Sequence, residues 1–349
     1  MLLAALRDLQ WRRRRFAITV AGTALVFAMS LLMSGLGNSF RVEIDRTLNR
    51  QGADGWVTSA GAPGAFAPGS YLSMEDVAAI SALAGPDAAP VLYGTGVVTF
   101  ADGSKLNVTV MGVTPGGLGA PVKVASGSVA MEPGTVVIPK SVDAQVGDSI
   151  ELSGLRFTVA GHVDKASLVA GTPTVTLDLA DAQRVLVGGQ PLVSNVLVKG
   201  PVPVPDGYVV RSRQEVREEF IRPLKNPMQS IDFVKVLLWA VAALIVASVV
   251  YLTVLERTRD IAVFKATGAG TMAIGAGVCL QAVILAIVAS LLGIVLALLL
   301  APIFPMDVVV ARSSLIALPL LAVLVGAAAG LVGVRRSAGV SPATAFGGP

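Results

Sequence analysis

One histidine, His162, and one cysteine, Cys279, bound the side-chain chemistry open to this chain of 349 residues. A lone thiol, here inside an apolar run, makes neither an intrachain disulfide nor a thiolate metal cluster. A lone imidazole supplies neither a poly-histidine zinc site nor a pair of haem ligands. His162 stands near Asp164 and several serines, so a triad can be drawn on paper. No G-x-S-x-G accompanies it, and a single histidine beside a strand end reads as a structural residue. The acidic residues are scattered without EF-hand spacing. No G-x-x-x-x-G-K followed by Ser or Thr occurs, so P-loop hydrolysis of ATP has to come from another polypeptide. The expectation is a chain with no catalytic, metal or cofactor site of its own.

A different kind of chemistry, docking, is written into residues 256–270, ERTRDIAVFKATGAG. Glu256, Arg257, Arg259, Asp260 and Lys265 interleave with Ile261, Val263 and Phe264, and the pattern stops at Gly268 and Gly270. That describes a short amphipathic helix with a glycine stop. One face of such a helix can bury in a groove of another protein; an interfacial loop that only serves topology would show the same pattern. Gln281 is the one strongly polar side chain in the apolar run that follows. It reads either as a hydrogen bond across helices near a pathway or as plain helix glue.

The elements that carry these residues follow from composition. Hydrophobic residues make up 54% of the chain and charged residues 14%, against about 25% charged in soluble domains. The excess concentrates at residues 16–37, 236–255, 272–301 and 313–334. Each run is near or above the roughly 20 residues that cross about 30 Å of hydrocarbon as a helix. Arg7 and Arg12 to Arg15 precede the first run, opposed only by Asp8, which places the N-terminus inside by the positive-inside rule. The loop after the second run carries Arg257, Arg259 and Lys265, and the tail Arg335 and Arg336, so four crossings return the C-terminus to the inside. The first run is too long for a signal-peptide core and lacks a convincing Ala-x-Ala site, so it reads as an uncleaved anchor. Leu2, Leu3, Leu6 and Leu9 at helical spacing beside Trp11 make residues 1–15 an amphipathic helix on the inner leaflet, serving as a lipid anchor or a docking element. A net charge of +4 does not mark a nucleic-acid binder.

Residues 38–235 alternate short β-type runs with turn signals. VLYGTGVVTF, the turn Asp102-Gly103 and KLNVTVMGV form a hairpin signature; GTVVIP, DSIEL, Ser153-Gly154 and RFTVAGHV repeat the idea. Helical patches start at Ser73 and at Ser212, where Glu215 stands at capping-box spacing. The stretch from Gly52 to Gly69, rich in Gly and Pro, reads as a flexible loop or linker. The fold expected is a polytopic α-helical membrane protein with four spans, both termini inside, and a large α+β extracytoplasmic domain between the first and second spans. The short outer loop is expected at residues 302–312.

No carboxylate relay crosses the spans, and no internal repeat or broken polar helix marks a solo transporter. Small residues do recur: Ala24 with Ala28, Ser30 with Ser34, and Gly326 with Gly330. Such faces permit close helix packing, within one chain or between two. A homodimer of eight spans coupled to a partner is the reading that follows.

Residues 256–270 also resemble the segment after the second span in FtsX/MacB-type permeases of ABC transporters, the type VII or mechanotransmission class. That family's pattern is approximately E-R-x-x-E-I-G-x-x-(R/K)-A-x-G-A-(S/T). Glu256, Arg257, Lys265, Ala266, Gly268 and Ala269 match in register, with Asp260 where Glu is usual and Ala262 where Gly is common. Val340, Pro342, Ala343 and Ala345 resemble the family's ending, and Val146-Gly147-Asp148 to Val159-Ala160-Gly161 resembles its external core motif. The chain is similar to actinobacterial members labelled glutamine-transport permeases, although amino-acid importers usually have more spans, lack a large external domain and rely on a separate binding protein.

The resemblance implies a non-catalytic subunit that pairs with a second copy of itself through its first two spans. A separate ABC ATPase, holding ATP and Mg, would dock on Glu256, Arg257, Arg259, Asp260, Ile261, Phe264, Lys265 and Gly268, and on the N-terminal helix. Membrane lipid, and an extracytoplasmic partner protein, complete the partners implied. Three readings remain open at this point: a permease for export or extraction of a lipid, peptide or drug-like substrate, a transmitter regulating an external cell-wall enzyme, and a sensory or structural protein without an ATPase.

Overall fold

Among the described residues of the computed structural model, four helices are long and apolar enough to cross a membrane. They are α1 (Arg13–Gln51), α5 (Lys225–Glu256), α7 (Thr271–Leu300) and α8 (Arg312–Ala338). Residues 13–67, 70–167, 171–268, 270–304 and 308–338 are described. Residues 1–12 of the amphipathic helix expected at residues 1–15, and the Pro342-containing tail motif, lie outside them. The first helix is longer than its apolar run: 39 residues rise about 58 Å at 1.5 Å per residue, nearly twice a hydrocarbon core.

The chain divides into two units, one of residues up to Ser39 with those from Asn226, the other of Phe40–Lys225. The core of the first unit is built from all four long helices, with Phe27, Leu31 and Leu32 of α1, Val246 of α5, Leu285 and Ala289 of α7, and Leu318 of α8 buried together. Pro319 sits inside α8, which transmembrane helices tolerate where neighbouring groups satisfy the freed carbonyl.

Among its described residues the second unit has a main sheet, a two-stranded sheet and three short α-helices. Its strands are β1 (Gly55–Ser59), β2 (Leu72–Ser73), β3 (Ala89–Thr99), β4 (Lys105–Val113), β5 (Ser126–Gly127), β6 (Thr135–Pro139), β7 (Ser149–Leu152), β8 (Leu155–Val163), β9 (Thr174–Asp178), β10 (Leu192–Val193), β11 (Asn195–Val198) and β12 (Tyr208–Ser212). The helices are α2 (Met74–Ala84), α3 (Leu179–Val187) and α4 (Arg213–Ile221). Strands β2 and β10 make the two-stranded sheet, whereas the main sheet runs β12-β1-β11-β3-β4-β9-β6-β8-β5, and β7 pairs with both β3 and β8. Strands β3, β4, β9, β6, β8 and β7 therefore close into a ring. Alternation along each strand turns Val108, Val110, Val136, Ile138, Phe157, Val159, Val175 and Leu177 into one buried core. The remaining strands β11, β1 and β12 form a wing on β3, with a second core of Val57, Ile80, Val196 and Val198 under α2.

Both turn signals form antiparallel hairpins, β3 with β4 and β7 with β8. At the second turn Ser153 and Gly154 both take positive φ, 50° and 89°, as a two-residue primed hairpin loop requires. The stretch read as a flexible linker is corrected: residues 55–59 are strand β1, and Trp56 and Val57 are fully buried. Polar contacts hold it, most of them from residues remote in sequence. Trp56 Nε1 donates to Gln51 Oε1 at 2.8 Å, Asn195 Nδ2 donates to the Ala65 carbonyl, and the amides of Ala65 and Phe66 donate to Glu219. Composition hid this because glycine and proline signal turns wherever long-range partners are unseen.

Local capping is strong. Ser73 accepts from the Asp76 amide while the Asp76 carboxylate accepts from the Ser73 amide, and Ser212 with Glu215 does the same. Hydrogen bonds from the Tyr208 hydroxyl first, then from the Ser73 amide and hydroxyl, hold the Asp76 carboxyl below the usual carboxylate range. A depressed folded pKa contributes stability above the unfolded value, about 3.9, lost as pH falls through the folded value. We therefore expect Ser73→Ala to destabilise α2 by about 1 kcal/mol, read as faster amide exchange in residues 74–84. Acidification below about pH 4 should reproduce that exchange pattern in the wild type.

Candidate functional site

Residues 256–270 fold as α6 (Thr258–Ala266) between the ends of α5 and α7. The break after α5 is at Arg257, whose φ of −105° and ψ of 13° leave the helical range. At the other end the Thr267 amide donates to the Val263 carbonyl, and the Gly268 amide to that of Lys265. Gly268 takes φ of +94°, a conformation that glycine adopts without the Cβ penalty.

The helix has two faces. Ile261 and Ala262 are buried against Val254, Ile274 and the partly buried Val278; the methyl of Ala262, where the family pattern has glycine, is fully enclosed. Beside them Val263 is 47% and Phe264 53% exposed. Glu256, Arg259, Asp260 and Gly268 are exposed, and Arg257 and Lys265 half-buried. A short helix with a fixed inner face and an exposed aromatic flanked by charges offers a ready-made protein contact.

Beneath α6 lies a cavity of about 360 Å³, whose walls include Arg257, Asp260, Ile261, Phe264 and Gln281. The fold thus gathers four of the expected coupling residues around one space, whereas Glu256, Arg259, Lys265 and Gly268 do not line it. Gln281 reaches this space one helical turn after Gly277, also on the wall. Val263, Thr253 and Gly277 belong to the same surroundings and were not singled out as site residues. Their signal is spacing: Gly277 and Gln281 are i and i+4, which places them on one helix face.

The small residues of the spans pack inside one chain. A Cβ at Gly326 would lie 2.7 Å from Val283 Cα, and one at Gly330 2.8 Å from Cys279 Cα, so α8 presses its glycines on α7. Ala24 and Ala28 are fully buried, and their backbone atoms lie within 3.3 Å of a Cβ built at Gly293 of α7. Ser30 Oγ accepts from Trp239 Nε1 of α5 at 2.7 Å, and Ser34 Oγ is 3.2 Å from Ser314 Oγ of α8.

The triad drawn on paper is not assembled. His162 Nδ1 is 3.0 Å from Ser126 Oγ and Nε2 is 2.7 Å from the Ala144 carbonyl. Asp164 instead pairs with Lys140 at 2.9 Å, and that ammonium holds its carboxyl below the usual range.

With this geometry in place, the comparisons are direct. Residues 16–209 match the MacB-like periplasmic core domain family, and residues 233–342 the FtsX-like permease C-terminal family. An uncharacterized ABC transporter permease of Mycobacterium bovis is 42% identical over 351 residues, covering 100% of both chains. Another of Mycobacterium tuberculosis strain H37Rv is 41% identical over 350 residues, again covering 100% of both. The crystal structure of the periplasmic region of MacB from Actinobacillus actinomycetemcomitans is similar at 12% identity and a TM-score of 0.36, covering 49% of this chain and 95% of that one. The extracellular domain of the noncanonic ABC-type transporter YknZ from Gram-positive bacteria is similar at 12% identity and a TM-score of 0.35, covering 45% and 98%. Two family matches that together span both units, and full-length relatives above 40% identity, agree with the four spans and the α+β domain between the first two: the chain belongs to the FtsX/MacB-type ABC transporter permeases, multi-pass membrane proteins with an extracytoplasmic domain.

Proposed function

We propose that two copies of this permease pair in the membrane and that a separate ABC ATPase docks on the outer face of α6, so that ATP hydrolysis moves the extracytoplasmic domains. The observation that carries the reading is α6 itself, seated through Ile261 and Ala262 and presenting Val263 and Phe264. ATP and Mg bind in the ATPase, and this chain contributes no cofactor site. Helices α1 and α5 each continue beyond the apolar run they contain, which suits them to carry movement out of the bilayer. The work done is export or extraction of a lipid, peptide or drug-like substrate from the outer side.

Pairing is supported by the outward stripe of α1. Ala17, Ile18, Ala21, Gly22 and Leu25 are exposed, and a Cβ at Gly22 meets nothing within 4 Å. Small residues on an outward helix face permit close approach of a second helix. Gly22→Leu is therefore expected to leave the single chain folded and to shift dimer to monomer by at least about tenfold, given roughly 1–2 kcal/mol for such contacts. Single-molecule photobleaching in nanodiscs reads the ratio; an unchanged dimer population would place the interface elsewhere. Co-purification with a co-expressed ABC ATPase, followed by ATP turnover in lipid, tests the whole reading. Association with stimulated turnover supports it, and absence of association removes it. Turnover without substrate movement would favour the transmitter of an external cell-wall enzyme.

A further inference from the structure

A cavity of about 550 Å³ opens on the outer wall of the strand ring, and the permease function does not account for it. Its floor follows from strand alternation. In the parallel pair β4 and β9, Thr109 stands beside Thr174 and Met111 beside Thr176; their neighbours Val110, Val175 and Leu177 turn into the ring core. The four residues facing the other way are each 7% exposed. The end of α1 and the loop at residues 119–124 wall the cavity above this floor.

Two features of the lining point to a ligand. First, polar atoms are buried there without partners. Thr174 Oγ1 and Gln51 Nε2 both lack a hydrogen-bond partner among the described residues, on side chains 93% or more buried, since Gln51 is only 2% exposed. A buried donor without an acceptor costs about 1–3 kcal/mol, which marks this floor as a place that the chain's own side chains do not close. Second, the lining is graded. Met111 and Val124 line it toward the floor, whereas Arg50 and Lys123 line it and are exposed. Among the described residues Asp164 is the one acidic side chain on the wall, and it pairs with Lys140. The mouth is therefore cationic, and Val122 beside it is 85% exposed.

From this grading we infer that the cavity on β4 and β9 binds a single-chain anionic amphiphile, with its head at Arg50 and Lys123 and its chain over Met111 and Val124. The volume lies in the range of about 300–1,000 Å³ for small-molecule sites, which suits one acyl chain and excludes a two-chain phospholipid. The site lies within one extracytoplasmic domain, so it needs neither the second copy nor the ATPase, and its failure would leave the coupling reading standing.

The test uses the full chain in nanodiscs of neutral phospholipid and a photoreactive palmitate carrying a diazirine at mid-chain, with labelled peptides mapped by mass spectrometry. Saturable labelling within residues 119–124 and 163–167, competed by palmitate or dodecyl phosphate, is expected. Thr174→Leu, which fills the floor, should cut that labelling by at least about tenfold. Lys123→Glu, on an exposed side chain with no structural task, should cut palmitate labelling by about tenfold while sparing a photoreactive long-chain alcohol. Labelling confined to the spans, or equal labelling in wild type and Lys123→Glu, would overturn the proposal. Should Thr174→Leu fail to fold, the Lys123→Glu comparison decides alone.

Discussion

Phe264→Asp is expected to abolish co-purification with the ATPase and its stimulated turnover, while leaving the permease folded. Phe264 is more than half exposed and borders the cavity by α6, so the single chain loses little when it is removed. An aromatic anchor at the centre of an interface typically contributes 2 kcal/mol or more, about thirtyfold in affinity. Placing a carboxylate in that contact adds a desolvation penalty of several kcal/mol, so the combined loss should exceed a hundredfold. Lys265→Glu, a charge reversal next to it, should weaken association in the same direction. Ile261→Asp is the contrasting variant. It places a charge against Val254 and Ile274, and should unseat α6 and lower the thermal stability of the membrane unit. Intact association and turnover in both Phe264→Asp and Lys265→Glu would remove α6 as the ATPase seat. A sensory or structural role would then come forward.

Gly326→Leu is expected to produce the largest loss of stability in the membrane unit. A Cβ at this position lies 2.7 Å from Val283 Cα and 3.0 Å from the Ala282 carbonyl, and at Gly330 it lies 2.8 Å from Cys279 Cα. These are backbone atoms, which no rotamer change can move aside. Overpacking in a closed interface costs about 1–3 kcal/mol, and two such substitutions force α8 from α7. Thermal unfolding in nanodiscs should fall by several degrees for Gly326→Leu and further for the double variant with Gly330→Leu. Gly277→Ala is the control, since a Cβ there meets nothing within 4 Å. Equal unfolding temperatures for Gly326→Leu and wild type would mean that the two helices are not in close contact.

Short-range signals were read from sequence with good fidelity in this chain. Ser73 and Ser212 cap helices because their hydroxyls bond amides three residues on, and Ser153-Gly154 turns a hairpin because both residues accept positive φ. The glycine stop at Gly268 belongs to the same class. Each of these depends only on neighbours within a few positions. The described part of the stretch from Gly52 to Gly69, residues 52–67, departs from the linker reading for the converse reason. What orders it is Glu219, Asn195 and Arg211, all more than a hundred residues away. No local pattern announces that a Gly-rich stretch will be hydrogen-bonded by residues so remote.

The sequence by itself determined the four crossings, the inside termini, the separate α+β domain and the amphipathic segment after the second span. Hydropathy over 20 residues, charge bias at loop ends and a helical period are all properties of consecutive residues. Only the tertiary structure decided that β7 closes the strand ring by joining β3 and β8, and that β4 and β9 run parallel with threonines outward. It also decided that Gly326 and Gly330 are spent on α7, leaving the stripe of Ala17, Ala21 and Gly22 outward on α1. Small residues record that a surface can be approached closely, not which surface approaches it. That choice is made by shape between segments far apart in the chain, where the sequence carries no period to read.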